Sequence, residues 1–146
     1  MKLLLSERFA LHGLLVVFLA TTVFHVLVVA GVVPYTLVWG GRLRDQSQML
    51  AFEAISLTLT LLMLAVVAVQ AGHVKVRIHP RVVAVVFSLM FLLFLVNTAG
   101  NLASKNELEK RLFTPLTLLL ALFSLRVAVG SVARARGRAG ASTAGK

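Results

Sequence analysis

The sequence predicts an all-α membrane protein, a bundle of four transmembrane helices with both termini on the cytoplasmic side. Three observations carry that reading. Hydrophobic residues make up 59% of the 146 residues and the mean hydropathy is +0.94, far too apolar for a water-soluble domain of this length. Four apolar runs, about 9–33, 49–69, 82–99 and 113–133, each approach the roughly 20 residues that cross about 30 Å of hydrocarbon. The basic residues between the runs are unevenly shared. Lys2, Arg8, Lys75, Arg77, Arg81, Arg134, Arg136, Arg138 and Lys146 fall on one side, against Arg42, Arg44, Lys105, Lys110 and Arg111 on the other. The richer side is the cytoplasmic one by the positive-inside rule.

The first run follows Lys2 and Arg8 and is longer than a signal-peptide core, with no small-x-small cleavage site after it, so it is expected to remain as a signal anchor. Its polar members Thr21, Thr22 and His25 stand three and four apart, on one helix face. The loop that follows concentrates unusual residues: Pro34, the chain's only Tyr and Trp at positions 35 and 39, Gly40, Gly41, Arg42 and Arg44. Aromatic rings favour the headgroup level, Gly frees the backbone, and Arg holds phosphate or carboxylate. In the second run Glu53, Ser56 and Thr60 share a face, and Glu53 is expected either to join a polar cluster or to pair with Arg42 or Arg44.

The middle loop alternates His73, Lys75, Arg77 and His79 with Val74, Val76 and Ile78, which suits an extended connector lying on the membrane with its basic side on lipid phosphates. His73 and His79 lack a third ligand nearby, so no metal site is expected. The third run ends in Asn97 and Asn101, four apart, with Gly100 reading as a helix stop. Thr114-Pro115 reads as the start of the last helix, with Pro near its first position. That helix carries a small-residue stripe, Thr114, Thr117, Ala121, Ser124 and Ala128, suited to close helix packing. Arg126, off the stripe, is expected to snorkel to cytoplasmic headgroups. Residues 134–146, rich in Ala, Gly and Arg, read as a basic disordered tail.

Polar groups in hydrocarbon are costly and each asks for a partner or a purpose. His25, Glu53, Asn97 and Asn101 all fall in the outer half of the membrane under this topology, beneath Trp39 and Arg42. These six are the candidate ligand or polar-cluster residues, with Arg42 at the mouth. No catalytic residue is assigned. The chain has no cysteine, and no phosphate-binding Gly loop, nucleophile elbow, metalloprotease helix or dinucleotide fingerprint, so neither a metal nor a cofactor is implied.

The combination of Val33-Pro34-Tyr35, Trp39-Gly40-Gly41-Arg42, Phe52-Glu53 and Asn97-Thr98-Ala99-Gly100-Asn101 resembles small four-span bacterial integral membrane proteins that carry no assigned function. That resemblance implies a bacterial inner (plasma) membrane and transfers no activity. The small multidrug-resistance transporters match in size and span number, but their essential acid lies in the first span, where this chain has His25. A net charge of +10 is accounted for by topology and by anionic headgroups at the cytoplasmic face, which points away from nucleic acid.

The reading favoured by these residues is non-enzymatic: a small membrane protein that binds a lipid or a protein partner at its outward face through the Trp39–Arg42 loop and the polar cluster below. A small oligomeric proton-coupled transporter or channel using Glu53 and His25 is the alternative, and an intramembrane lipid-modifying enzyme the third. Membrane lipids and a homo-oligomeric or membrane-protein partner are the expected contacts.

Overall fold

The computed structural model describes residues 5–104 and 106–144. Lys2, Lys105 and Lys146, used above for orientation, lie outside the described residues. Four helices make up the fold: α1 Glu7–Val29, α2 Gln46–Gln70, α3 Pro80–Leu102 and α4 Glu107–Ala144. All four contain stretches long and apolar enough to cross a membrane, so the chain is a multi-pass membrane protein with an all-α bundle fold. Val16, Val85, Leu89 and Val96 are more than half exposed, as a lipid-facing surface demands.

Local chemistry sets the helix limits. Ser6 caps α1 by accepting from the Phe9 amide at 3.1 Å, and Asp45 caps α2 by accepting from the Gln48 amide at 2.8 Å. Both helices end on a glycine in the left-handed region, Gly31 at φ +75° and Gly72 at φ +87°. In each case the next residue reaches back, Val32 to the Leu27 carbonyl and His73 to the Ala68 carbonyl, closing a Schellman motif. This stops α1 at Val29, short of the expected position 33. Pro80 at the first turn starts α3, whose His79 cap accepts from the Arg81 amide at 3.3 Å. The preceding connector, expected to be extended, has no regular secondary structure over 75–79 and turns tightly where the Val76 amide donates to the Val74 carbonyl at 2.9 Å; Ile78 packs against the core, and Val74 and Val76 are exposed.

Three further boundary expectations change. Gly100 lies inside α3, which runs on to Leu102, because its own backbone stays helical and nothing crowds it. Pro115 is interior to α4, not at its start; Glu107 with Lys110 at 3.5 Å and Arg111 at 3.6 Å builds a charged first turn ahead of it. The segment from Arg134 to Ala144, expected to be disordered, continues α4 as helix. Ala and Arg are strong helix formers, and Arg134 is anchored by two bonds to Glu7. At 38 residues α4 is about 57 Å long, well beyond the thickness of the hydrocarbon.

The helices pack as a series, α2 on α1, α1 on α4, α4 along α3, while α2 and α3 have almost no direct contact. Lipid tails are as apolar as Leu, so shape complementarity must hold these pairs together. Ala121, Ser124 and Ala128 of the small-residue stripe are buried. A Cβ on Gly13 would overlap the Phe123 ring, and a Cβ on Gly130 would overlap Glu7 Oε2. One apolar cluster, built on Leu14, Phe18, Phe87, Phe123 and Val127, fills the middle of the bundle. A smaller one, Val28, Val38 and Met49, lies under the Trp39 loop. Loop 30–45 and the junction of α3 with α4 share one end of the bundle, the loop end; Ser6, loop 71–79 and the far part of α4 share the other.

Candidate functional site

Two short 3-10 turns, Tyr35–Leu37 and Trp39–Gly41, fold the first loop back over the helices. Trp39 has φ +57°, the only non-glycine in the left-handed region among the described residues. A side chain there costs about 1–2 kcal/mol, and conformations of this kind collect at functional sites. The ring reaches Glu53. Trp39 Nε1 donates to Glu53 Oε1 at 2.9 Å, and the indole stands edge-on to Phe52 with 5.0 Å between ring centres.

Glu53 is 1% exposed, two turns into α2. Its other oxygen, Oε2, is hydrogen-bonded to His25 Nδ1 on α1 at 2.5 Å, and the imidazole is 14% exposed. The carboxylate is thus held by one group from α1 and one from the loop, both supplied across the α1–α2 seam. Arg42 and Arg44 do not pair with it. Arg42 is solvent-facing and stands outside the cavity that Glu53 lines, which corrects both of its expected roles: the adjacent turn ends in Gly41 at φ +68° and carries the chain away.

That cavity is about 340 Å³. His25, Trp39, Glu53, Asn97 and Asn101, five of the six candidates, line it. Its walls are mainly apolar and aromatic, with Phe18, Phe24, Phe94 and Phe113 contributed by α1, α3 and α4. Ile55 and Leu59 of α2 and Leu93 and Asn97 of α3 line it while remaining exposed. They form the two edges of an opening where α2 and α3 fail to meet, and the opening faces the lipid-contacting side of the bundle.

The polar residues differ in their hydrogen bonding. Thr22, Thr58 and Thr98, which do not line the cavity, turn their hydroxyls onto their own helix at the Phe18, Ala54 and Phe94 carbonyls. Thr117 Oγ1, on the cavity wall, is bonded by Asn101 of the same wall at 3.3 Å and by Thr98 behind it at 2.9 Å, tying α3 to α4. Thr21, Ser56, Thr60 and Asn97 line the cavity and have no side-chain partner among the described residues. Thr114 Oγ1 and Ser124 Oγ, buried away from the cavity, are unpartnered too among the described residues, so what distinguishes Thr21, Ser56, Thr60 and Asn97 is that α1, α2 and α3 bring them around one space, where they offer hydrogen-bonding atoms to an occupant.

At the opposite end a second polar group has formed that the sequence did not signal. Arg134 donates to both oxygens of Glu7 at 2.7 and 2.8 Å, and Arg126 donates to the Leu5 carbonyl at 2.7 Å with its guanidinium 4.0 Å from Glu7. Arg126 therefore finds protein partners where headgroups were expected. The only hint was Glu7 preceding the first apolar run. Among the described residues there is no group of three or more His, Cys, Asp or Glu able to hold a metal ion.

Fold and site together define a class, a four-helix membrane protein enclosing an apolar-walled cavity with a hydrogen-bonded carboxylate at one end. No family model, curated protein or solved structure matches the chain.

Proposed function

We propose that this is a small non-enzymatic membrane protein that binds a membrane-dissolved amphiphile, its apolar body among the phenylalanines and its polar group at Asn97, Ser56, Thr60 and the His25–Glu53 pair. The gap between α2 and α3 admits the ligand from the bilayer. The observation that carries this reading is the cavity of about 340 Å³, which falls within the roughly 300–1,000 Å³ of small-molecule sites and ends on a carboxylate held on both oxygens. It moves the binding element from the Trp39–Arg42 loop surface to the space below, with Trp39 as its cover. The bacterial plasma membrane and a cytoplasmic placement of both termini belong to the same proposal, supported by the basic residues at the terminal end.

Native mass spectrometry on protein released from lipid nanodiscs tests it, with Ser56→Phe as the variant that fills the mouth. The expected result is a bound small molecule on the wild type that is lost from the folded variant. Identical ligand-free masses for both overturn the reading.

A further inference from the structure

We infer that the occupant of the cavity is a lipophilic cation, an amine or quaternary ammonium with an apolar body, and that its binding expels a proton from the His25–Glu53 pair. This deepens the amphiphile reading and rests on it.

Charge selection comes first. The chain holds 15 Lys and Arg against 5 Asp and Glu, yet none of the basic residues lines this cavity and Glu53 does. The titratable groups facing the pair can be taken element by element. α1 supplies His25 itself and α2 Glu53 itself; the loop supplies Trp39, with Arg42 outside; α3 supplies the neutral Asn97 and Asn101, and α4 the neutral Thr117. An anionic headgroup would therefore meet a carboxylate with no Lys or Arg to offset it. A cation would meet that carboxylate and aromatic rings. Phe18, Phe24, Phe94, Phe113 and Trp39 surround the space, and ring faces attract ammonium groups most strongly where water is excluded.

Charge balance then requires exchange. A net charge held within hydrocarbon is costly, so the empty pair carries the proton that makes it neutral overall, as imidazolium with carboxylate or as imidazole with carboxylic acid. A bound cation supplies the compensating positive charge instead. The pair keeps one hydrogen between His25 Nδ1 and Glu53 Oε2, and the second proton leaves to solvent. One positive charge enters and one departs, and no covalent bond to carbon changes. Affinity rises with pH as a result, by about tenfold per unit wherever one proton is released per cation bound.

The test uses the full chain in nanodiscs, with benzyltrimethylammonium and its neutral isostere neopentylbenzene as probes. Binding is followed by the emission of Trp39, the single tryptophan. Proton release is counted by calorimetry in two buffers of different ionisation enthalpy. The expected result is preference for the cation, about one proton released per cation, and binding at least about a hundredfold weaker in Glu53→Gln. Equal binding of the two probes, or cation binding with no proton released, overturns this inference and leaves the amphiphile site standing. No response to either probe overturns both. Should Glu53→Gln fail to fold, the proton count and pH slope of the wild type decide the matter alone.

Discussion

Trp39 and Glu53 are joined by a 2.9 Å hydrogen bond that ties a left-handed loop residue to a buried carboxylate two turns inside α2. The bond couples the cover of the cavity to its only acid. Trp39→Phe keeps most of the ring against Phe52 but removes the donor, leaving Glu53 Oε1 without its partner. The variant should lose about 1.5–3 kcal/mol, the usual worth of a hydrogen bond to a charged group. Thermal unfolding in detergent measures it, and an unchanged midpoint would show that the bond holds nothing in place.

The contrast between Thr98 and Thr60 gives a paired prediction. Thr98 bonds to the Phe94 carbonyl and to Thr117 Oγ1, so Thr98→Val should destabilise by about 1 kcal/mol. Thr60 lines the cavity with no partner, and Thr60→Val should leave stability within about 0.5 kcal/mol while weakening ligand binding. Equal destabilisation by the two would mean that Thr60 is a packing residue like its neighbours.

Two glycines at opposite ends should respond with opposite signs. Gly130→Ala would drive a methyl into Glu7 Oε2 and disturb its bonds to Arg134, at an overpacking cost of about 1–3 kcal/mol. Gly100 is helical with open space beside it, so Gly100→Ala should stabilise α3 by about 0.5–1 kcal/mol. Differential scanning of both variants checks the pair. A destabilising Gly100→Ala would place a neighbour where none is now seen.

The Glu7–Arg134 pair is bidentate but partly exposed, and its contribution should be small. Arg134→Gln is expected to cost about 0.5–1 kcal/mol and to increase hydrogen exchange in α4 beyond residue 134. Unchanged exchange there would mean that the far part of α4 does not depend on this anchor.

Much of this architecture was legible in the residues because hydrocarbon is an exacting solvent. It fixes the length of a span, and it makes His25, Glu53, Asn97 and Asn101 conspicuous against an apolar background. What escaped was set by backbone geometry and by distant pairing. Trp39 reaches Glu53 only because a non-glycine residue adopts φ +57°, which no sequence pattern announces. Arg42, chosen for its charge, is turned away by the same loop. Glu7 finds Arg134 from 127 positions away, and the helical course of α4 to Ala144 follows partly from that contact. The gap between α2 and α3 depends on which helix faces fit one another, and four similar apolar runs do not record it.

The account stands on Glu53 being reachable from the bilayer through that gap. Labelling by a lipophilic carbodiimide, located by peptide mass spectrometry and compared with a water-soluble carbodiimide, tests this directly. The expected result is modification of Glu53 by the lipophilic reagent alone, with exposed acids such as Asp45 and Glu107 taken by the soluble one. Glu53 left unmodified by the lipophilic reagent, or modified equally by both, would contradict the account.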